Sequence, residues 1–145
     1  MKKLFKTVLA FIILALLIEV VILITTKMTG WNNFISGRPF LAAVHVHLFT
    51  IGVIFFLVQM LLEKAFKITK AKFYKAFYIV FLCGFGLFIS TLLYKGFAQI
   101  FKFSVINAIT QSLAAIAHIA MFVGLFLFAR CLYLAAVKNN GNDEL

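Results

Sequence analysis

This sequence has little charge. Asp, Glu, Lys and Arg make up 12% of its 145 residues, and they cluster between apolar runs. A water-soluble domain needs such residues spread over its surface. Hydrophobic residues make up 65% of the chain and the mean hydropathy is +1.12, against roughly 45–50% apolar content in soluble domains. Both point to an integral membrane protein with the lipid bilayer as its first partner. Cysteine is scarce as well. Cys83 and Cys131 both lie in apolar runs and form no CxxC pair, which argues for small buried hydrophobes over a disulfide or a thiolate metal site. P-loop, GxGxxG, nucleophile-elbow and HExxH motifs are absent, so no soluble enzyme class is indicated. A net charge of +10 would suit a nucleic-acid binder. Here, however, the lysines flank the apolar runs as cytoplasmic loops require, and no nucleic-acid partner is read.

What is present is length enough to cross a bilayer four times. A transmembrane helix needs about 20 apolar residues. Four runs meet that need, at about residues 8–26, 40–62, 73–94 and 105–134. The start, Met1-Lys2-Lys3-Leu4-Phe5-Lys6, has the basic character of a signal peptide. The apolar run behind it exceeds a signal core of about 7–15 residues and no small-residue cleavage site follows, so it reads as a retained first helix. Short connections give antiparallel neighbours. The expected fold is all-α, an up-down four-helix transmembrane bundle forming a single domain over residues 1–138, with a polar tail at 139–145. The helix start expected after the first outer loop is Ser36-Gly37-Arg38-Pro39. Of the basic residues, ten lie at the chain ends and between the second and third runs, and four lie on the other side, at Lys27, Arg38, Lys95 and Lys102. The bias places both termini in the cytoplasm, as expected of a multi-pass protein of a bacterial plasma membrane.

All three histidines fall inside apolar runs: His45 and His47 in the second, His118 in the fourth. An ionisable side chain within the bilayer is costly and marks a site, and imidazole is a standard ligand for haem iron and copper. Residues two apart on an α-helix point about 200° apart. His45 and His47 therefore cannot hold one metal together, but one of them and His118 can clasp a planar ligand from two helices. Ala42, Ala43, Gly52, Ala114, Ala115, Ala117 and Gly124 offer small neighbours for a macrocycle, although close helix packing explains any one of them equally well. Gly84, Gly86 and Ser90 read as a packing stripe. Arg38, Lys27, Asn32, Asn33 and Trp31 lie near the outer rim, where propionates need polar partners. Glu19 is the one acid inside a span, at a depth of roughly 10 Å by a rise of 1.5 Å per residue. It suits a hydrogen bond that fixes a ligating imidazole, with proton passage as the alternative. An internal likeness aligns Leu41-Ala42-Ala43 with Leu113-Ala114-Ala115 and Gly52 with Gly124, which sets His118 at the depth of the pair. The leftover histidine of the pair needs a partner of its own. Closed two-fold symmetry makes a homo-oligomer, a dimer, the expected answer.

The segment from Ala42 through His45-Val46-His47 to Gly52 resembles the helix of haem–copper oxidase subunit I that carries a His-x-His pair. That resemblance implies a haem for each histidine on opposite helix faces. The whole chain is similar to a small bacterial four-helix membrane family, domain of unknown function 2871, which has a His-x-His at the start of its second helix and a histidine in its fourth. Three histidines are too few for a complete haem–copper reaction centre, so no enzymatic activity is assigned. The leading expectation is a membrane haem-b-binding protein acting in electron transfer, haem handling or sensing, with a redox partner. Copper bound by histidines, or a non-catalytic subunit or assembly partner, are the alternatives.

Overall fold

The computed structural model describes residues 1–31, 40–104 and 107–140, the side chains of 138–140 excepted. Four helices fill it: α1 (Lys2–Thr29), α2 (Phe40–Phe66), α3 (Tyr74–Phe101) and α4 (Asn107–Asn140). Each is long and apolar enough to cross a membrane, so the chain is a multi-pass helical membrane protein. The helix start read at residues 36–39 and the polar residues 141–145 lie outside the described residues.

Helix ends follow local chemistry. Gly30 closes α1 in the left-handed conformation, φ 61°, and Trp31 N–H donates to Thr26 O at 3.0 Å, as glycine-capped helices do. At the end of α2, Glu63 accepts hydrogen bonds from Thr69 N–H at 2.7 Å and from Thr69 Oγ1–H at 2.6 Å. This one carboxylate folds the short loop, with its 3-10 turn Ile68–Lys70, back toward α3. Helix α3 runs on to Phe101, seven residues past Tyr94. Gly96, which looks like a loop residue in the sequence, is buried against Leu41 of α2.

Helix α2 is not uniform. It is α-helical over Phe40–His47, π-helical over Leu48–Ile54 and α-helical again over Phe55–Phe66. π-helical insertions are rare and occur often at functional sites. This one begins at the residue after His47.

Helix α3 packs between its neighbours α2 and α4. The core is built in layers. At the end holding the chain start, Leu4 and Val8 meet Val53, Phe56, Phe77, Phe81 and Cys131. The middle layer joins Ala15, Val44, Leu48, Phe85, Phe88, Ile89 and Ala117. The layer at the opposite end, Ile22, Leu41 and Ile100, includes no residue of α4. The phenylalanines carry much of this core: Phe56, Phe77, Phe81 and Phe85 are fully buried and linked ring to ring. On α1 and α4, Leu16, Leu23, Ile119, Phe122 and Phe126 face outward, as a lipid solvent permits. Both cysteines are free thiols; Cys131 is buried, while Cys83 faces outward.

The small-residue stripe on α3 divides. A Cβ on Gly84 would come within 2.9 Å of Ala120 Cβ and 3.0 Å of Ala117 O and Met121 N, whereas one on Gly86 would meet nothing within 4 Å. Of the stripe, Gly84 is the residue that sets the approach of α3 to α4. Ser90, Thr91 and Ser112 return hydrogen bonds to their own helices, at 2.7–2.9 Å, the usual fate of hydroxyls in apolar helices.

Candidate functional site: three imidazoles in the middle layer

His45 and His47 leave α2 in different directions, as their spacing requires. His45 turns to α1, where its Nδ1 lies 3.2 Å from Ala15 O and 3.4 Å from Glu19 Oε2. Ala15 and Glu19 are four residues apart and share one face of α1, so a carbonyl and a carboxyl receive the same ring edge. About a third of the His45 side chain remains exposed, and nearly half of Glu19. Depth in the sequence matches Glu19 to His47, but the histidine that Glu19 meets is His45.

His47 turns to α3. Its ring lies 5.0 Å from the ring of Phe88, edge to face. His118, on α4, meets the same Phe88 at 4.7 Å, again edge to face. Phe88 is 8% exposed and is thus the side chain through which α2 and α4 bring their histidines to one place. His118 itself is exposed on α4.

The Nδ1 contacts of the three rings are alike. His47 Nδ1 is 2.7 Å from Ala43 O, and His118 Nδ1 is 2.6 Å from Ala114 O. Both are contacts to the carbonyl four residues back on the same helix. A carbonyl oxygen only accepts, so these contacts suit the tautomer with the hydrogen on Nδ1, in which Nε2 keeps its lone pair. His45 meets Ala15 O with the same atom. Ligating histidines characteristically use one ring N–H on a carbonyl or carboxyl so that the other nitrogen faces the metal with raised basicity. The donor set of His47 and His118 has this form.

Other residues named from the sequence fall elsewhere. Gly52 packs on the Phe11 ring, where a Cβ would come to 2.7 Å from Cγ, and Gly124 packs on Phe81, 2.9 Å from its Cβ. Ala117 is buried against α3. These three serve helix packing and leave no room for a macrocycle. Ala115 is exposed on α4, while Ala114 on α4 and Ala42 and Ala43 on α2 are half-buried. Lys27 and Trp31 line a depression at the C-terminal end of α1 with Leu23, Ile24 and Thr26. Arg38, Asn32 and Asn33 lie outside the described residues. Among the described residues no three of His, Cys, Asp and Glu converge as a metal-binding group, so the arrangement is one of two imidazoles around Phe88 and a third, His45, turned from α2 toward α1. Sequence reasoning missed Phe88, one of nineteen phenylalanines; nothing in its local sequence sets it apart.

A family model described as Protein of unknown function (DUF2871) matches residues 1–135. No curated protein and no solved structure matches the chain.

Proposed function

The chain belongs to the DUF2871 family, and on that premise we propose that it is a membrane haem-b-binding protein in which His47 and His118 would hold the haem iron. The observation that carries this reading is the pair itself. Two imidazoles from different helices meet at one buried phenylalanine ring, each with Nδ1 at hydrogen-bond distance from a backbone carbonyl, which suits Nε2 as the ligating nitrogen. For both to bind one iron, the Phe88 ring has to turn aside. Bound haem supplies one-electron chemistry, which two imidazole ligands direct to electron transfer with a redox partner, haem carriage or sensing. Lys27, Trp31 and Arg38 at the outer end would then meet the propionates. The likeness of residues 42–52 to the His-x-His helix of haem–copper oxidase subunit I adds support.

His45 has a different part. Its bond to Ala15 O ties α2 to α1, and Glu19 beside it fixes the same nitrogen. It stands in the place of a second ligand or of a structural tie, separate from the axial pair.

Copper is the other cargo that imidazole favours. Analysis of the purified protein for iron, protoporphyrin and copper decides between them. Iron and protoporphyrin at one each per chain are expected. Stoichiometric copper without haem would replace the haem reading.

The setting proposed is a bacterial plasma membrane with both termini inside. In a cysteine-free background, Lys102→Cys should react with an impermeant thiol reagent on intact cells and Lys67→Cys should not. The reverse pattern would invert every assignment of depth. A homo-oligomer is also proposed, on altered grounds. His45 finds its partner within its own chain, so it does not itself call for a second copy. Instead α4 exposes Asn107, Gln111 and His118 at helical spacing on one face, and polar groups against lipid are unfavourable. A second copy would cover them, and a strict monomer by mass in mild detergent would refute it.

A further inference from the structure

The end of the bundle that gathers most of the lysines holds a cavity of its own, away from the histidines. It encloses about 280 Å³ between the start of α1, the α2–α3 loop and the first turns of α3. Its floor is apolar and aromatic: Leu4 and Tyr74, both buried, line it. Thr69 and Tyr78 form the walls, and Lys3 and Lys75 stand at the rim.

These groups are held in place. Lys3 Nζ lies 4.1 Å from the centroid of the Tyr78 ring, within the range in which a cation is attracted to an aromatic face. Tyr78 OH is 2.6 Å from Thr7 Oγ1 of α1, so the ring beneath the lysine is anchored to the neighbouring helix. The wall residue Thr69 is fixed by its two hydrogen bonds to Glu63. Both Glu63 oxygens are thereby directed at the loop. Among the described residues no carboxylate pairs with Lys3 or Lys75; the one ion pair is that of His45 with Glu19. Two cationic groups from two helices therefore face one concave space, and among the described residues neither is within ion-pair distance of a carboxylate; the nearby Glu63 is engaged by Thr69. Lys2, Lys6, Lys70 and Lys72 stand close by in the chain and raise the local positive potential.

We propose that this cavity binds a phosphate-bearing anion, either the headgroup of an anionic glycerophospholipid or a free phosphate compound. Basic pockets between transmembrane helices take phosphate headgroups through the same chemistry. The lipid source is favoured by what lies next to the cavity. Leu14 and Leu17, eleven and fourteen residues beyond Lys3 and thus on its face of α1 by helical spacing, are exposed apolar side chains along which an acyl chain can lie.

Native mass spectrometry of the full chain tests this, with phosphatidylglycerol and phosphatidylcholine offered at equal concentration. Wild type is expected to retain phosphatidylglycerol over phosphatidylcholine by on the order of tenfold. The Lys3→Gln/Lys75→Gln double variant should lose that preference, and Lys64→Gln, outside the cavity, should keep it. A second arm titrates delipidated protein with inorganic phosphate and follows thermal stability. A stabilisation that depends on Lys3 and Lys75, without lipid retention, would assign the site to a free phosphate compound. Equal retention of the two lipids, or equal retention by the double variant and wild type, together with no lysine-dependent response to phosphate, would overturn the proposal.

Discussion

His118→Ala is expected to abolish six-coordinate haem binding, and His47→Ala to do the same, whereas His45→Ala should leave the axial spectrum in place. The asymmetry follows from where the three rings go. His47 and His118 share Phe88, while His45 is spent on Ala15 and Glu19 of α1. Each axial variant removes one of two strong nitrogen donors from an apolar layer in which no other imidazole faces Phe88. A five-coordinate iron, or none, remains. The readout is the absorption spectrum of each purified variant in both oxidation states, normalised to protein. Loss in His45→Ala with retention in His47→Ala would exchange their roles. An unchanged spectrum in His118→Ala would remove α4 from the site. Phe88→Ala, by vacating the space between the ligands, should speed uptake of added haemin without removing a ligand.

The second large effect concerns a residue that touches no imidazole. Gly84→Leu is expected to destabilise the protein by roughly 1–3 kcal/mol or more, the cost of overpacking a filled interface. Gly86→Leu should be close to neutral. The atoms facing a Gly84 Cβ include backbone, Ala117 O and Met121 N at 3.0 Å, which cannot rotate away as a side-chain tip can. The helices must separate instead. Gly84 lies one turn before Phe88 on α3, and Ala117 immediately precedes His118 on α4, so the separation moves His118 off Phe88. Gly84→Leu should therefore lower both thermal stability and haem affinity with all three histidines intact. Gly86 has open space within 4 Å and faces outward, where leucine suits lipid. Equal tolerance of the two leucines would contradict the α3–α4 packing on which the site depends.

The four spans were legible because lipid imposes a length rule that apolar runs obey openly. Their ends were less so. Lys2, Lys3 and Lys6 continue α1 rather than precede it, since lysines at an interface extend their charge to water while the backbone stays helical. Gly96 looks like a break, but its missing side chain lets α3 pass close to Leu41 of α2. The π-helical turn after His47 had no sequence mark, because Leu48–Ile54 has the same apolar character as the residues around it. In the site, the divergence of His45 from His47 followed from helix geometry alone, whereas the depth of Glu19 matched His47 and its contact is with His45. Which histidine it meets depended on how α1 and α2 rotate against each other, which composition does not encode. The role of Phe88 was illegible for the same reason: in an all-apolar helix, periodicity does not separate the side facing α2 and α4 from the side facing lipid.

The most direct measurement is the absorption spectrum of the wild-type protein, purified from haem-replete cells, oxidised and then reduced. The account predicts a Soret band with split bands in the reduced state, unmoved by carbon monoxide because both axial positions are held by His47 and His118. A colourless protein that also fails to take up added haemin would contradict it.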